Sequence, residues 1–365
     1  MSKKICIVDS DFAHKRIDIS RYLKKDGFDV TILGSSKDKF PDDINYVHYN
    51  LNRYFSFLSD FKTYKYYKRF FNKNPFDLIH TFNTKPGFLV PLALLNTEMR
   101  ITRTINGLGK IFMSKSFFSY LLTKVYLAFH FIIRKRSSLT IFQNYDDKDF
   151  FFKNKLIRED NFEIILSSGI ELKGFNLRAK RDNQDFTFIC ISRLILQKGI
   201  LNYIEAAQIC KDRGYTFKFD LVGPLEEDSK ELNRNVLDNN GVVNWLGHRN
   251  DVMTLLSKSS ALVLPTYYGE GFPRVILEAA AVGLPIISTN TTGVREFGVD
   301  KRDILLVAPN NSIMLAEALI KVATDKDLSD RLSKNSLNQV QNYSLEKVAK
   351  QYIDIFNNII ISKSS

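Results

Sequence analysis

The sequence has 365 residues, of which 44% are hydrophobic and 25% charged, and a formal net charge of +12. This composition is typical of a globular protein, and the length predicts two domains with separate cores. The cysteines Cys6, Cys190 and Cys210 match no disulfide or zinc spacing. We therefore expect them to be small buried side chains in a reducing cytoplasm.

The positive charge is concentrated in the first half of the chain. Residues 1–170 hold 28 of the 52 Lys and Arg residues but only 17 of the 40 Asp and Glu residues, a net +11. This asymmetry predicts an anionic partner for the first half, and charge alone leaves both nucleic acid and anionic lipid open. No signal peptide is expected, because Met1-Ser-Lys-Lys leads directly into a strand pattern. The most membrane-like segment, 117–133, is too short and contains Lys124 and His130, so it is not predicted to span a membrane.

Strand and helix patterns alternate along the first half, which predicts a parallel, doubly wound α/β sheet. The strands are expected at Lys4–Val8, Asp29–Leu33, Phe76–His80, Arg100–Ile105, Ile141–Asn144 and Phe162–Leu166. Ligands of such sheets bind beyond the carboxyl ends of the strands. His14, His80 and the loop 106–109 follow predicted strands, so we expect them in one crevice. The loop after the first strand lacks Gly-x-Gly-x-x-Gly, which argues against a dinucleotide site.

Two segments of the first half, 53–73 and 110–136, are rich in both basic and aromatic residues, and the second contains no acid. They are predicted to be amphipathic helices or hairpins that lie against an anionic membrane surface. The alternative is an ordinary helix with a solvated basic side. Single-stranded nucleic acid is disfavoured as a partner because no RNA-binding motif accompanies the aromatics.

The second half repeats the alternation after a polar linker. Its strands are expected at Phe186–Ile191, Thr216–Val222, Val242–Leu246, Ala261–Pro265 and Ile304–Val307, with a helix at Leu201–Gly214. The predicted organisation is a first domain at 1–170, a linker at 171–185, a second Rossmann-like domain at 186–343 and a last helix within 344–365.

The stretch 262–296 carries the chemistry of the second domain. It is predicted to form strand, loop, helix and strand, with Pro273 at the first helical position. Glu270 lies between two glycines at the start of that helix, and Glu278 lies within its apolar sequence. A buried carboxylate is costly unless it is paired or binds a ligand. Since a helix start binds phosphate, two carboxylates around it are suited to a sugar nucleotide.

Arg193 and Lys198 follow the first strand of the second domain in an Arg-x4-Lys spacing. Such a pair can bind phosphate, the Arg as a fork and the Lys as a point charge. Together with Glu270-x7-Glu278, five further stretches in the same order resemble retaining GT-B fold glycosyltransferases of family 4. The resembling subgroup builds bacterial O-antigen, capsule and N-glycan precursors on polyprenyl diphosphate. The further stretches are Thr104–Gly109, Ile141–Asn144, Ser192–Gly199, Leu221–Gly223 and Trp245–His248.

This resemblance implies two Rossmann-like domains facing across a cleft, with the C-terminal helix crossing back to the first domain. It implies that Glu270 holds the sugar hydroxyls near the reacting carbon, that Arg193 and Lys198 bind the donor diphosphate, and that Glu278 binds the ribose. Further donor contacts are expected from Gly271, Phe272, Pro273, Arg274, Val275, Gly247 and His248. The acceptor side is expected to include His14, His80, Lys85, Asn106 and Gly107.

The implied reaction is a retaining transfer of a HexNAc, with GalNAc favoured by subgroup analogy, from a UDP-sugar to a saccharide on undecaprenyl diphosphate. The protein would be cytoplasmic and peripherally bound to the cytoplasmic face of the inner membrane. We expect catalysis without a metal or other cofactor, since the nearest Asp-x-Asp, Asp9-Ser-Asp11, lies in the wrong place. The alternatives are a non-hydrolysing sugar-nucleotide epimerase and a non-catalytic nucleotide-sugar-binding protein.

Overall fold

The computed structural model describes residues 2–52, 56–108, 117–172, 185–226 and 231–361, with only the backbone for 117–119. The chain divides into two compact units. The first unit contains residues 1–169 and 345–365, and the second contains residues 170–344. Most of the predicted linker (171–185) and part of the basic segment 110–136 lie outside the described residues.

Within the described residues, the first unit is built on a seven-stranded parallel sheet with the strand order 3-2-1-4-5-6-7. Its strands are β1 Lys4–Val8, β2 Asp29–Gly34, β3 Asn45–His48, β4 Leu78–Phe82, β5 Arg100–Ile105, β6 Leu139–Phe142 and β7 Phe162–Ile164. Its helices are α1 Ile17–Lys25, α2 Phe57–Lys73, α3 Thr84–Ala93, α4 Phe117–Ile133, α5 Tyr145–Lys153 and, from the end of the chain, α12 Leu345–Ile361.

The second unit has a six-stranded parallel sheet in its described part, with the strand order 10-9-8-11-12-13. Its strands are β8 Thr187–Ile191, β9 Lys218–Val222, β10 Asn244–Trp245, β11 Ala261–Leu264, β12 Ile286–Thr289 and β13 Leu305–Val307. Its helices are α6 Ile200–Asp212, α7 Arg234–Asn239, α8 Val252–Lys258, α9 Arg274–Ala281, α10 Ser312–Thr324 and α11 Lys326–Val340. The predicted α/β architecture with two parallel sheets is therefore confirmed.

The strands of the first sheet carry apolar side chains on both faces, so both faces must be buried, and helices cover them. On one face, Ile5 and Ile7 pack with Tyr352 and Phe356 of α12. On the other face, Cys6 and Val8 pack with α2 and α3. The C-terminal helix thus belongs to the core of the first unit.

The core of the second unit lies between β8 and helices α6 and α10, where Phe188 and Cys190 pack with Tyr203 and Leu319. All three cysteines are buried and unpaired, as expected, and burial raises the pKa of Cys190 to about 12. The strand β3 was not predicted, and several strand ends lie one or two residues away from their predicted positions. Among the described residues, no helix combines the length and apolar character that crossing a membrane requires.

Candidate functional site

In each sheet the strand order reverses beside the strand that comes first in the chain. The candidate site lies at this point of reversal. In the second sheet, β8 is flanked by β9 and β11. Loops that leave such a position diverge to opposite sides of the sheet and leave a crevice at the carboxyl edge. Arg193 and Lys198 follow β8, whereas Glu270 follows β11. These three predicted residues therefore lie on the two loops that border the crevice of the second sheet.

Lys198 and Glu270 are in direct contact. The Lys198 ammonium forms an ion pair with Oε1 of Glu270, and the side chains are only 12% and 14% exposed. The same carboxylate oxygen lies 3.5 Å from the Thr266 hydroxyl, and the Lys198 ammonium lies 5.5 Å from the centre of the Tyr268 ring. The low exposure keeps both charges away from bulk solvent, so an ion that enters here interacts with them strongly.

Glycines allow the two loops to approach each other. Gly199 has a φ of +72°, and a Cβ there would overlap the carbonyl of Pro265. Gly293 has a φ of +78°, and a Cβ there would lie 2.5 Å from the carbonyl oxygens of Glu270 and Gly271. Only glycine fits these positions without displacing the loop that carries Glu270.

Arg193 has a carboxylate partner of its own. Its Nη1 donates to Oε1 of Glu226 over 2.6 Å, with the side chains 33% and 26% exposed. Arg193 and Lys198 are thus both held by acidic side chains. A diphosphate that reached them would replace carboxylate oxygens with phosphate oxygens.

Helix α9 begins at Arg274, one residue later than predicted, with Pro273 as the N-cap residue. Pro273 offers no side-chain cap to the first turn. The expectation that Glu278 is a lone buried carboxylate was wrong. Glu278 is half-buried and accepts a hydrogen bond from Nε of Arg274 at 3.0 Å, because an i,i+4 spacing places the two on one helix face.

Of the remaining predicted donor residues, Val275 lies in the first turn of α9, and the others lie on loops at the same edge of the second sheet. The Phe272 ring centre lies 5.0 Å from that of Tyr343. The carbonyl of Gly247 accepts from the amide of Gly223 over 2.8 Å, which joins the loops after β10 and β9. His248 is exposed. Trp245 packs against the core and donates to the Gly223 carbonyl over 3.2 Å, so it is a structural side chain.

The first unit has a matching polar centre that the sequence analysis did not identify. Asp9 directly follows β1 and Asn83 directly follows β4, at the point where the order of the first sheet reverses. The fully buried Asp9 carboxylate accepts from Nε of Arg16 over 2.6 Å, and it also accepts from the side-chain amide of Asn83. Arg16 stacks over the Phe82 ring, 3.8 Å from its centre. A fully paired buried carboxylate of this kind is rigid and positions its neighbours.

Asn83 has an unusual backbone conformation, with a φ of 69° and a ψ of 164°. Non-glycine residues rarely adopt this region, and such strain is concentrated at functional sites. The Asn83 amide donates to the Asn106 side chain over 3.2 Å, and Asn106 in turn donates to Gln143 over 3.1 Å. A series of hydrogen-bonded residues therefore runs along the carboxyl edge from Asp9 to Gln143. It passes beside Gly107, which has a φ of +114°.

Two family models match this chain. The model described as "Glycosyl transferase 4-like" matches residues 4–142, and "Glycosyl transferases group 1" matches residues 176–339. Together they cover both units. The chain is therefore a glycosyltransferase.

Relatives and solved structures agree with this assignment. The chain is 29% identical over 268 residues to an N,N'-diacetylbacillosaminyl-diphospho-undecaprenol alpha-1,3-N-acetylgalactosaminyltransferase of Campylobacter jejuni, covering 70% of each chain. It is 25% identical to a UDP-Gal:alpha-D-GlcNAc-diphosphoundecaprenol alpha-1,3-galactosyltransferase of Escherichia coli, covering 96% of this chain and 94% of the relative. The structure of a Thermosynechococcus elongatus sucrose-phosphate synthase superimposes with a TM-score of 0.84 at 17% identity, covering 99% of this chain and all of the other. These matches show the GT-B fold.

In this glycosyltransferase, His80 was expected just beyond the end of a strand, and that expectation was wrong. It is inside β4 and fully buried, with Nδ1 2.7 Å from the Thr102 hydroxyl and Nε2 3.0 Å from that of Thr104. Burial, assisted by the positive charge of Arg16, lowers the pKa of His80 to about 3. His80 therefore stays neutral and forms part of the core beneath α12, where its ring lies against Tyr352.

The other predicted acceptor residues lie on the surface or near it. His14 is exposed in the short 3-10 turn before α1, with Nδ1 3.1 Å from Asp38. Lys85 lies in the first turn of α3 and forms a 2.6 Å ion pair with Asp60 of α2, in which both side chains are nearly buried. Within the described residues, no group of three or more His, Cys, Asp or Glu side chains is arranged to hold a metal ion.

Proposed function

We propose that this glycosyltransferase transfers a sugar from a UDP-sugar to a saccharide carried on polyprenyl diphosphate, with retention of the anomeric configuration. The main support is the Lys198–Glu270 ion pair at the crevice of the second sheet, with Arg193 on the same loop as Lys198. The names of the two relatives describe transfer to diphospho-undecaprenol-linked sugars, and one of them names a UDP-sugar donor.

The energetic difficulty in this reaction is the departing diphosphate. The bond between the anomeric carbon and the β-phosphate oxygen breaks, the acceptor oxygen bonds to that carbon, and the acceptor proton leaves. Negative charge accumulates on the phosphate as the bond breaks, and fixed positive groups stabilise it. Arg193, Lys198 and the start of α9 supply such groups, and the first two are already positioned by Glu226 and Glu270.

Each carboxylate then has a separate role. When the diphosphate replaces Glu270 at the ammonium of Lys198, the freed Glu270 oxygens accept hydrogen bonds from the sugar hydroxyls. Glu278 lies about one turn into α9 and accepts from the ribose hydroxyls, and Arg274, four residues before it, holds it in place. The backbone of 271–275 faces the phosphates, and the loop with Gly247 and His248 borders the base.

We assign the acceptor to the carboxyl edge of the first sheet. The chain from Asp9 through Asn83 to Asn106 provides fixed donors and acceptors for saccharide hydroxyls. His14 and Lys85 flank this edge and can donate hydrogen bonds to the acceptor diphosphate. Substitution of Asn83 by Ala therefore weakens acceptor use rather than donor binding.

The helix α4 supports a peripheral position on an anionic membrane surface. We call the exposed side chains Tyr120, Leu121, Lys124, Phe131 and Ile132 the α4 surface. This surface consists of four large apolar side chains, each about half exposed, and the basic side chain of Lys124. It contains no acidic side chain. Apolar and basic side chains on one helix face favour the interface of an anionic bilayer. We propose the cytoplasmic face of the inner membrane as the site of action.

The proposal includes metal independence and an N-acetylhexosamine donor. Two cations and a helix start can stabilise a departing diphosphate without a divalent ion. The Campylobacter jejuni relative is named as an N-acetylgalactosaminyltransferase, which supports UDP-GalNAc as the first donor to test.

The test is a donor screen with purified full-length protein. UDP-GalNAc, UDP-GlcNAc, UDP-Gal and UDP-Glc are each incubated with short-chain polyprenyl diphosphates that carry one N-acetylated sugar, and products are identified by mass and by NMR of the anomeric proton. We expect a single added sugar with an α linkage and release of one UDP. A β-linked product would refute retention. Release of UDP without a glycosylated lipid, from every donor, would refute transfer to this class of acceptor.

A further inference from the structure

A second polar cavity lies in the first unit at the amino-terminal edge of its sheet, away from the Asp9 centre. It has a volume of about 450 Å³, and its lining includes Arg100, Lys135, Arg136 and Ser137. Arg100 begins β5, and β5 ends at Ile105 beside the loop of Asn106. Since a strand of six residues is roughly 17 Å long, the two sites lie on opposite edges of the sheet.

The cavity carries a strong excess of positive charge. Four basic side chains line it, whereas Glu98 is the only acidic one among its lining residues. Within the described part of the chain, no carboxylate forms an ion pair with Arg100, Lys135 or Arg136, whereas Arg158 is 3.3 Å from Asp160. A concave site with uncompensated cations attracts an anion.

Arg136 is held in a way that leaves one side of its guanidinium for a ligand. Nε donates to the Leu94 carbonyl at 2.7 Å, and Nη2 donates to the Thr97 hydroxyl at 3.0 Å and the Met99 carbonyl at 2.5 Å. These three bonds use three of the five donors of the group, and the two on Nη1 are left. The neutral acceptors fix Arg136 without cancelling its charge.

Ser137 is the second indication of a ligand. It lines the same cavity, is only 2% exposed, and its hydroxyl has no hydrogen-bond partner among the described residues. A buried hydroxyl without a partner costs free energy unless a ligand or water satisfies it. A cavity lined by one such serine and three cations that have no carboxylate partner within the described ranges offers donors of the kind that bind phosphate oxygens.

The apolar surroundings indicate what carries the phosphate. Phe131 and Ile132, the C-terminal part of the α4 surface, are 48% and 53% exposed and come just before Lys135 and Arg136 in the chain. Neither side chain lines the cavity itself, but both lie three to five positions before two of its cations, Lys135 and Arg136. We propose that the cavity binds the phosphate headgroup of an anionic phospholipid, whose acyl chains lie against Phe131 and Ile132. The inference rests on the proposed membrane association and adds a specific lipid site to it.

Calorimetry with the full-length protein tests this site. The probes are dihexanoyl-phosphatidic acid below its critical micelle concentration, glycerol 3-phosphate and inorganic phosphate. We expect one dihexanoyl-phosphatidic acid per chain, bound at least tenfold more tightly than either soluble phosphate. R100Q/K135Q should weaken lipid binding at least tenfold, whereas the control K37Q/K39Q removes two exposed charges from the loop after β2 and should change it less than twofold. F131S/I132S should weaken binding of the lipid alone.

Two outcomes overturn the proposal. One is lipid binding within twofold of wild type in R100Q/K135Q. The other is glycerol 3-phosphate or inorganic phosphate binding as tightly as the lipid, with no effect of F131S/I132S, which would make the cavity a site for free phosphate. If R100Q/K135Q has a lowered melting temperature, Ser138→Leu replaces it. This exposed position lines the cavity, so the variant should reduce lipid binding tenfold without a change of charge, and unchanged binding again refutes the site.

The outcome is separable from that of the proposed function. Transfer to a detergent-solubilised short-chain acceptor does not require this cavity, and we expect the same rate in wild type and in all of these variants. Absence of transfer in wild type would refute the proposed reaction while leaving stoichiometric lipid binding intact. Transfer without saturable lipid binding would refute the lipid site alone.

Discussion

Substitution of Glu226 by Gln is expected to increase the affinity for UDP, although it removes a contact. The carboxylate of Glu226 occupies Arg193 at 2.6 Å, so the donor diphosphate must displace it before it can reach the guanidinium. Gln retains the size of the side chain but competes only weakly for Arg193, and it removes a negative charge that repels the diphosphate. The affinity for UDP should therefore rise while the maximal rate changes little.

The magnitude follows from the distance and the exposure of this pair. Two unit charges about 4 Å apart interact by about 1 kcal/mol in bulk water and by about 4 kcal/mol at an effective dielectric of 20. The side chains of Arg193 and Glu226 are about a third and a quarter exposed, so solvent screens their interaction. The free energy of the competition between Glu226 and the diphosphate should therefore lie near the lower of these two values. About 1 to 2 kcal/mol corresponds to a 5- to 30-fold lower Kd for UDP.

Calorimetric titration with UDP at low and at 0.5 M salt provides the measurement. The gain in affinity should be smaller at high salt, because the competing charges are screened. The matched control is Asp330→Asn, which removes one carboxylate from an exposed i,i+4 pair with Lys326 on α11 and should leave the Kd within twofold of wild type. An unchanged or weaker affinity of the Glu226→Gln protein would refute the view that the pair is exchanged for diphosphate.

Three further results are expected. Lys198→Gln and Glu270→Gln should each lower the transfer rate by about 10²- to 10³-fold, since they remove charge stabilisation and sugar contacts, and a rate within threefold of wild type would contradict the assignment. Treatment with EDTA followed by gel filtration should change the transfer rate by less than twofold, and restoration of a lost rate by Mg²⁺ or Mn²⁺ would show that a metal is required. Because burial lowers the pKa of His80 to about 3, the unfolded chain takes up this proton near pH 6.5 and the folded chain does not, so stability is lost as the pH falls below about 6.5. From pH 7 to pH 5 the free energy of unfolding should fall by about 2 kcal/mol more in wild type than in His80→Gln, whereas exposed His48→Gln should behave as wild type in urea titrations.

The alternation of strand and helix patterns was sufficient to predict both sheets, because it depends on local apolar periodicity. The strand β3 was missed because it has only four residues and no fully buried position. The end of β4 was misplaced because the apolar run stops at Ile79 and is followed by His80 and Thr81. The strand continues to Phe82 because its backbone pairs with β5, where Thr102 and Thr104 are the register partners of His80 and Phe82, and cross-strand register cannot be read from one sequence.

For the candidate site too, residues with a signal in the nearby sequence were predicted, and contacts between residues far apart in the sequence were not. Arg193, Lys198 and Glu270 were recognised because each follows a strand in a short, characteristic spacing, and Lys198 and Glu270 are in contact. The pairing of Arg274 with Glu278 was available from their i,i+4 spacing and was overlooked. In contrast, the Asp9–Asn83 contact joins residues 74 positions apart, and nothing near either residue indicates it.

The chain leaves the first unit after Gly169 and re-enters it at Leu345, and a Cβ on Gly169 would lie 2.9 Å from the Leu345 Cα. On the other side of the boundary, Ile170 bridges to Ser344, so the two ends of the second unit are also neighbours. The second unit is therefore one uninterrupted segment of the chain, and the two ends of this segment are adjacent. Exchange of residues 170–344 for the equivalent segment of a relative would therefore change the chain at only two neighbouring junctions. If the proposed function holds, such chimaeras change the donor sugar and keep the acceptor.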